Sequence, residues 1–219
     1  MKVLIAIDSS PTSQRVLEEV AARPWPSNTA FCIVSAVEVD RFSELPALVA
    51  DAKRECEQLV KAGAAKLLCA RQTATTQVLM GSPRRVVSAY AQDWGADLIV
   101  AGSHGHSAVG RFFLGSVAQG ILRTASCSVE IVRYPARARA VAASEGARKM
   151  LTQAGLTVLA QDPNPSGDPR SVILDTAKTW QADLIVHGSQ GRHGLDRFLM
   201  GSVAESVAVH AHCSVVVVR

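Results

Sequence analysis

Two glycine-spaced segments, 86 positions apart, hold the residues best suited to chemistry in this chain. The first reads Gly102-Ser103-His104-Gly105, then nine residues, then Gly115-Ser116. The second reads Gly188-Ser189-Gln190-Gly191, then nine residues, then Gly201-Ser202. Each follows Ala-Asp-Leu-Ile-Val, and each runs on to an apolar stretch, Val129 to Val132 or Val215 to Val218. A strand that runs into glycines and then a helix start suits anion binding. Glycine lets backbone amides come close to an anion, and the helix N-terminus adds unpaired N–H groups and a positive dipole end. One such loop is weak evidence; two with the same gap and flanks mark a duplicated unit.

The elements that must position these loops alternate strand and helix. Strands are expected at Val3 to Ile7, Ala30 to Val37, Thr75 to Met80, Asp97 to Ala101 and Ser128 to Val132. Ser10-Pro11 and Ser82-Pro83 pair a capping serine with a first-turn proline and open helices; a long helix is expected near Leu45 to Ala70. Short apolar strands between helices predict an α/β fold with a doubly wound, parallel, five-stranded sheet covered on both faces. Ligands then sit beyond the carboxyl ends of the strands, where strand order reverses. Asp8 and the Gly102 loop both leave such ends.

The repeat also pairs Trp94 with Trp180 and Gly81-Ser82-Pro83-Arg84 with Gly167-Asp168-Pro169-Arg170. The second unit is too short for a full copy. The expected division is a complete domain at 1–134 and a truncated repeat at 135–219 that lacks the first two strands. A helix is expected from Ala138 to Ala154, matching the long helix of the first unit. Val158 to Asp162 reads either as strand three or as a first-strand equivalent that would bring Asp162 to the place of Asp8. The two fifth strands, Val129 to Val132 and Val215 to Val218, are expected to pair within the chain as a pseudo-dimer. Homodimerisation is a further expectation if the shortened unit leaves a sheet edge uncovered.

Composition sets the outer limits. Apolar residues make up 48% and charged residues 19%, a globular balance. No apolar run reaches the roughly 18 residues of a membrane span. Five cysteines, without a CxxC pair, suggest a reducing cytoplasm. The net charge of +4 is mild. Arg133, Arg137 and Arg139, with no interleaved aromatics, read as a solvated linker and not a nucleic-acid patch. There is no G-x4-G-K-[ST], which excludes a P-loop NTPase. His210 and His212 do not make a metal site, since alternate residues on a helix point apart. His104 aligns with Gln190, so the two loops share no imidazole.

The glycine motif with its flanks resembles the ATP-binding branch of the universal stress protein family, which carries G-x2-G-x9-G-[ST] after its fourth strand. The resemblance implies an adenine nucleotide alpha hydrolase-like fold. It places Asp8, with Ser9 beside it, near the adenosine part of a nucleotide, and the backbone of Ala36 and Val37 against adenine. Gly102, Ser103, Gly105, Gly115, Ser116 and Val117 would hold the phosphates. Arg111 and its repeat mate Arg197 could add a charged donor or lie on the surface. Gly188, Gly191, Gly201 and Ser202 would form a second half-site. The implied ligand is ATP, or ADP or AMP, with magnesium accompanying ATP. The implied role is a nucleotide-binding regulatory protein of the stress response with little or no turnover. Slow ATP hydrolysis and a pure interaction module stay open beside it. No nucleic acid or membrane partner is implied.

Overall fold

Short apolar runs become strands here because helices cover the sheet and leave few positions wet. The computed structural model describes residues 1–39, 46–105, 114–133, 139–142, 157–160, 167–189 and 200–219. The first unit runs β1 (Lys2–Ala6), α1 (Pro11–Ala22), β2 (Ala30–Val37), α2 (Pro46–Cys69), β3 (Ala74–Met80), α3 (Pro83–Trp94), β4 (Leu98–Gly102), α4 (Ser116–Thr124) and β5 (Ser128–Val132). The second unit, among the described residues, runs β6 (Arg139–Ala142), β7 (Thr157–Ala160), α5 (Pro169–Thr179), β8 (Leu184–Gly188), α6 (Ser202–His210) and β9 (Ser214–Val218).

The strands form one nine-stranded sheet in the order β3-β2-β1-β4-β5-β9-β8-β6-β7. Pairing is parallel within each unit. The seam is antiparallel: Val129, Glu130 and Ile131 of β5 face Val217, Val216 and Val215 of β9. The expected intrachain pairing of fifth strands is therefore present.

Alternation along each strand sends side chains to two cores. One is continuous through the seam: Leu4, Ile99, Val129, Ile131, Val215 and Val217 pack with apolar residues of α3, α4, α5 and α6. The other packs Val3, Ile5, Val100 and Val132 against Val16 and Val20 of α1 and Val60 and Leu67 of α2. Each fully buried aliphatic side chain contributes roughly 1.5–3 kcal/mol. The second core also holds a charge. Glu130 is fully buried on the α1 side of β5 and takes a two-pronged bond from Arg23, at 2.8 and 2.7 Å. Arg23 also donates to Glu19 at 2.5 Å. Burial alone would lower the Arg23 guanidinium's pKa, but Glu130 and Glu19 together hold it above the ordinary value.

Several sequence expectations change. The stretch expected as helix from Ala138 begins with strand β6 over Arg139–Ala142; residues 143–156 lie outside the described residues. Arg139 is thus in a strand and not a linker. β6 pairs with β8 and β7 pairs with β6, the places that β1 and β2 hold beside β4. The expectation that the second unit lacks its first two strands does not describe this sheet, in which the position of β3 is the one with no counterpart among the described residues. β6 separates β7 from β8, so β7 does not hold the place that β1 holds beside β4; Asp162 lies outside the described residues. Arg133 is 4% exposed, again no linker residue, because it folds onto the end of α6. Ser10 and Ser82 sit at N-cap positions but make no side-chain cap bond. Asp168 does cap, accepting from the Ser171 N–H at 3.3 Å.

Candidate functional site

The strand order reverses between β1 and β4: the chain winds from β1 to β2 and β3 on one side, and from β4 to β5 on the other. Such a reversal opens a crevice at the carboxyl ends of the two strands. Asp8, Ser9 and Ser10 leave β1 into it, and Ser103, His104 and Gly105 leave β4.

The first wall is a pinned carboxylate. Asp8 Oδ1 accepts from the Ser10 N–H at 3.0 Å, from Ser13 Oγ at 2.8 Å and from Ser10 Oγ. The Asp8 N–H donates to Ser13 Oγ at 2.8 Å. The Ser10 hydroxyl is turned to Asp8, and this is why it does not cap α1. Asp8 thus forms an aspartate turn with its first oxygen. Its second oxygen faces the other loop: a Cβ on Gly105 would stand 2.6 Å from Asp8 Oδ2.

The second wall is the glycine loop. Gly102 closes β4, and a Cβ there would meet Thr12 Cγ2 at 2.7 Å. The Ser103 N–H donates to Val132 O at 3.0 Å, fixing the loop to β5. The Gly115 N–H returns to Ser103 O at 2.8 Å. Gly115 has φ −61 and ψ 151, which any residue adopts. Its need for glycine is one of space, since a Cβ would lie 3.2 Å from Ser103 O and 3.4 Å from His104 Cα. Gly115, and not Ser116, is the N-cap of α4, and no side chain caps it. The Gln119 N–H to Gly115 O bond, 2.9 Å, is the first of the helical ladder. The N–H groups of Ser116, Val117 and Ala118 precede it and have no intrahelical acceptor.

His104 ties the two loops together. Its carbonyl lies 3.4 Å from Ser10 Oγ, whose proton goes to Asp8, and its Nδ1 pairs with Ser103 Oγ at 2.9 Å. Its Nε2 is buried with no hydrogen-bond partner among the described residues. Burial first, and then the Arg133 charge, push its pKa below the usual histidine value, so the ring is neutral at pH 7. Arg15 of α1 donates to the Arg133 carbonyl at 3.2 Å on the same side.

The expected adenine wall lies one strand away. The β1–β2 register ends at Ala6 opposite Val34, whereas β2 continues to Val37. Ala36 and Val37 therefore project past β1 at the crevice. Val37 is buried, and its carbonyl accepts from the Gly81 N–H at 2.8 Å. Arg111 and Arg197 lie outside the described residues.

The second unit repeats the loop bonds 86 positions on. Ser189 N–H donates to Val218 O at 2.8 Å, and Gly201 N–H to Ser189 O at 2.7 Å. Gly201 is the N-cap of α6, so Ser202 is again not the cap. Gly188 ends β8, and Gly191 lies outside the described residues. In place of Ala101 stands His187, almost fully buried, with Nδ1 2.9 Å from Gly188 O and Nε2 without a partner among the described residues. Among the described residues, β6 and β7 end level, at Ala142 opposite Ala160, with no counterpart to the overhanging Ala36 and Val37; residues 143–156 and 161–166 lie outside the described residues. Three roles were not legible as site features: Thr12 against Gly102, Ser13 on Asp8, and Arg133 beneath His104. Each depends on a contact across the fold.

The family model for the universal stress protein family matches residues 1–133 and 165–219. The chain belongs to the universal stress protein family. Its similarity to a universal stress protein of Methanocaldococcus jannaschii is 51% identity over 53 residues, 24% of this chain and 31% of that protein. The chain thus spans about a third of that relative's length. A Staphylococcus epidermidis protein assigned to the universal stress proteins is 30% identical over 137 residues, 60% of this chain and 82% of that protein. In fold, the chain is similar to a universal stress protein from Archaeoglobus fulgidus, with a TM-score of 0.75 at 18% identity over 100% of this chain and 96% of the other. Among the described residues, no helix of this universal stress protein is long and apolar enough to cross a membrane.

Proposed function

We propose that this universal stress protein binds one adenine nucleotide, ATP or a product of it, in the crevice between β1 and β4, and acts as a nucleotide-responsive regulator in the stress response. The observation that carries the reading is the approach of Gly105 to Asp8. It brings a carboxylate, a glycine cradle and the N-terminus of α4 to one point. Amides at the start of α4 suit phosphate oxygens through charge-assisted hydrogen bonds, and the helix dipole adds to them. The second Asp8 oxygen suits a donor, such as a ribose hydroxyl. The overhanging backbone of Ala36 and Val37 suits the edge of a base.

The residue types favour holding a nucleotide over cleaving it. His104 is neutral and engaged by Ser103, and Asp8 is pinned by its own turn. A general base must reach the proton it abstracts; in this reading Asp8 Oδ2 is taken up by a ribose donor, away from the phosphates at α4, and His104 uses its Nδ1 on Ser103. Magnesium arriving with ATP would be held by the phosphates and its own waters, as hard, strongly hydrated cations are.

The test is mass analysis of nucleotide released when freshly purified protein is denatured, followed by calorimetric titration of ATP into the stripped protein. Recovery of an adenine nucleotide and saturable ATP binding are expected. A folded, stripped protein that takes up no ATP, ADP or AMP would leave the interaction-module reading in its place.

A further inference from the structure

Each unit ends in an arginine that grips the other unit's glycine-loop helix. At the end of β5, Arg133 N–H donates to Ser214 Oγ at 3.1 Å, and its guanidinium donates to Ala208 O and Val209 O of α6 at 2.7 and 3.0 Å. Beyond β9, Arg219 N–H donates to Ser128 Oγ at 3.3 Å, and its guanidinium donates to Leu122 O of α4 at 2.5 Å. The partners Arg133 and Arg219, Ser214 and Ser128, and Ala208 and Leu122 are all separated by the 86-residue repeat. This is a reciprocal exchange about the β5–β9 seam.

A guanidinium at the last carbonyls of a helix satisfies orphan acceptors and meets the negative dipole end. A second tie runs along the flank of α4. Glu205 of α6 accepts from Gln119 Nε2 at 3.2 Å and from Arg123 Nε at 3.0 Å. Glu205 is the repeat mate of Gln119, so the exchange is symmetric in place but not in charge. α4 has only nine residues, about two and a half turns. A rod that short is aimed by whatever holds it, and its N-terminus is the end that faces the crevice.

We infer that Arg219 and Glu205, both in the second unit, are positioning residues for the first unit's glycine loop: they fix the direction in which α4 presents its N-terminal amides. This rests on the nucleotide-binding reading above. It gives the second unit a task in ligand binding that does not require its own loop to be occupied.

The experiment compares wild type, Arg219→Ala/Glu205→Gln, Arg219→Lys and Val20→Ala. Val20→Ala serves as a control that loosens the other core, far from α4. ATP affinity is measured by calorimetry, and amide exchange at Gly115 and Gln119 is measured without nucleotide. If the released helix is aligned only part of the time, apparent affinity falls by that fraction. The double variant is expected to bind ATP about three- to tenfold more weakly, on the scale set by losing one helix-end cation and one ion pair. Exchange at Gly115 and Gln119 should quicken with it. Arg219→Lys, which keeps a cation and donor, should recover most of the affinity, and Val20→Ala should leave it unchanged. Unchanged affinity or unchanged exchange in a folded double variant overturns the inference. So does an equal loss in Val20→Ala, which would mean general loosening. Failure of the nucleotide reading is seen separately, as absence of ATP binding by wild type.

Discussion

Gly105 and Asp8 lie so close that a single added carbon would collide: its Cβ would be 2.6 Å from Asp8 Oδ2. The carboxylate has little room to retreat, because Ser10 and Ser13 hold its other oxygen. Gly105→Ala should therefore shift the loop and not the aspartate. Loss of even one charge-assisted amide bond to phosphate is about 1.5–3 kcal/mol, or roughly ten- to a hundredfold in Kd. Calorimetry should show that loss while the thermal midpoint stays near wild type. Unchanged affinity would mean that the loop is not the phosphate contact.

The buried Glu130–Arg23–Glu19 group sets a stability prediction. Arg23→Ala removes the guanidinium that pairs with fully buried Glu130 and buried Glu19. The expected cost is about 3–5 kcal/mol in urea unfolding. The double variant Arg23→Met/Glu130→Val should recover most of it, since the matching position in the second unit is Val216. A single variant as stable as wild type would show that water reaches Glu130.

Buried His187 and half-buried His104 give a pH dependence. Burial lowers the pKa of His187, and also that of His104, in the folded state. The unfolded chain then binds protons first as pH falls. Stability should be level above the unfolded value near 6.5 and decline below it, by at most about 1.4 kcal/mol per pH unit for each group. His187→Ala, which restores the residue of the first unit, should flatten part of that slope in denaturant titrations from pH 7.5 to 5. An unaltered slope would show that His187 is not the titrating group.

Thiol reactivity should follow exposure. Cys69 is exposed, whereas burial pushes the Cys213 thiol up to about 12 and raises Cys127 as well. Iodoacetamide at pH 8 should label Cys69 first and Cys213 only after unfolding, because the thiolate is the reacting form. Early labelling of Cys213 in folded protein, read by peptide mass analysis, would contradict the buried placement.

Much of this architecture is legible in the sequence because it is local or repeated. The Ala-Asp-Leu-Ile-Val strands announce buried parallel pairing, and the doubled glycine spacing reveals two units. The expected helix after Ala138 fails where Ala-Val-Ala is ambiguous between helix and strand and sheet pairing with β8 decides. Arg133 looks like a solvated linker residue because its partners, the carbonyls of Ala208 and Val209, are 75 and 76 positions away. The expected serine cap of α1 fails for a local reason: Ser10 has a better acceptor in Asp8.

The most direct test of the central claim is the stoichiometry of ATP binding at saturation. The first crevice has the pinned Asp8, the glycine cradle and the overhanging end of β2. Among the described residues, the second loop keeps the cradle but has no overhang from β7, and His187 stands beneath it. Amides and a helix dipole recognise charge and not adenine, so the second loop should bind phosphate groups weakly and without base preference. Calorimetric titration of stripped protein should give about one tight, adenine-selective site per chain, weakened in Gly105→Ala and retained in Gly201→Ala. Two equal adenine-selective sites, or none in a folded protein, would contradict the account.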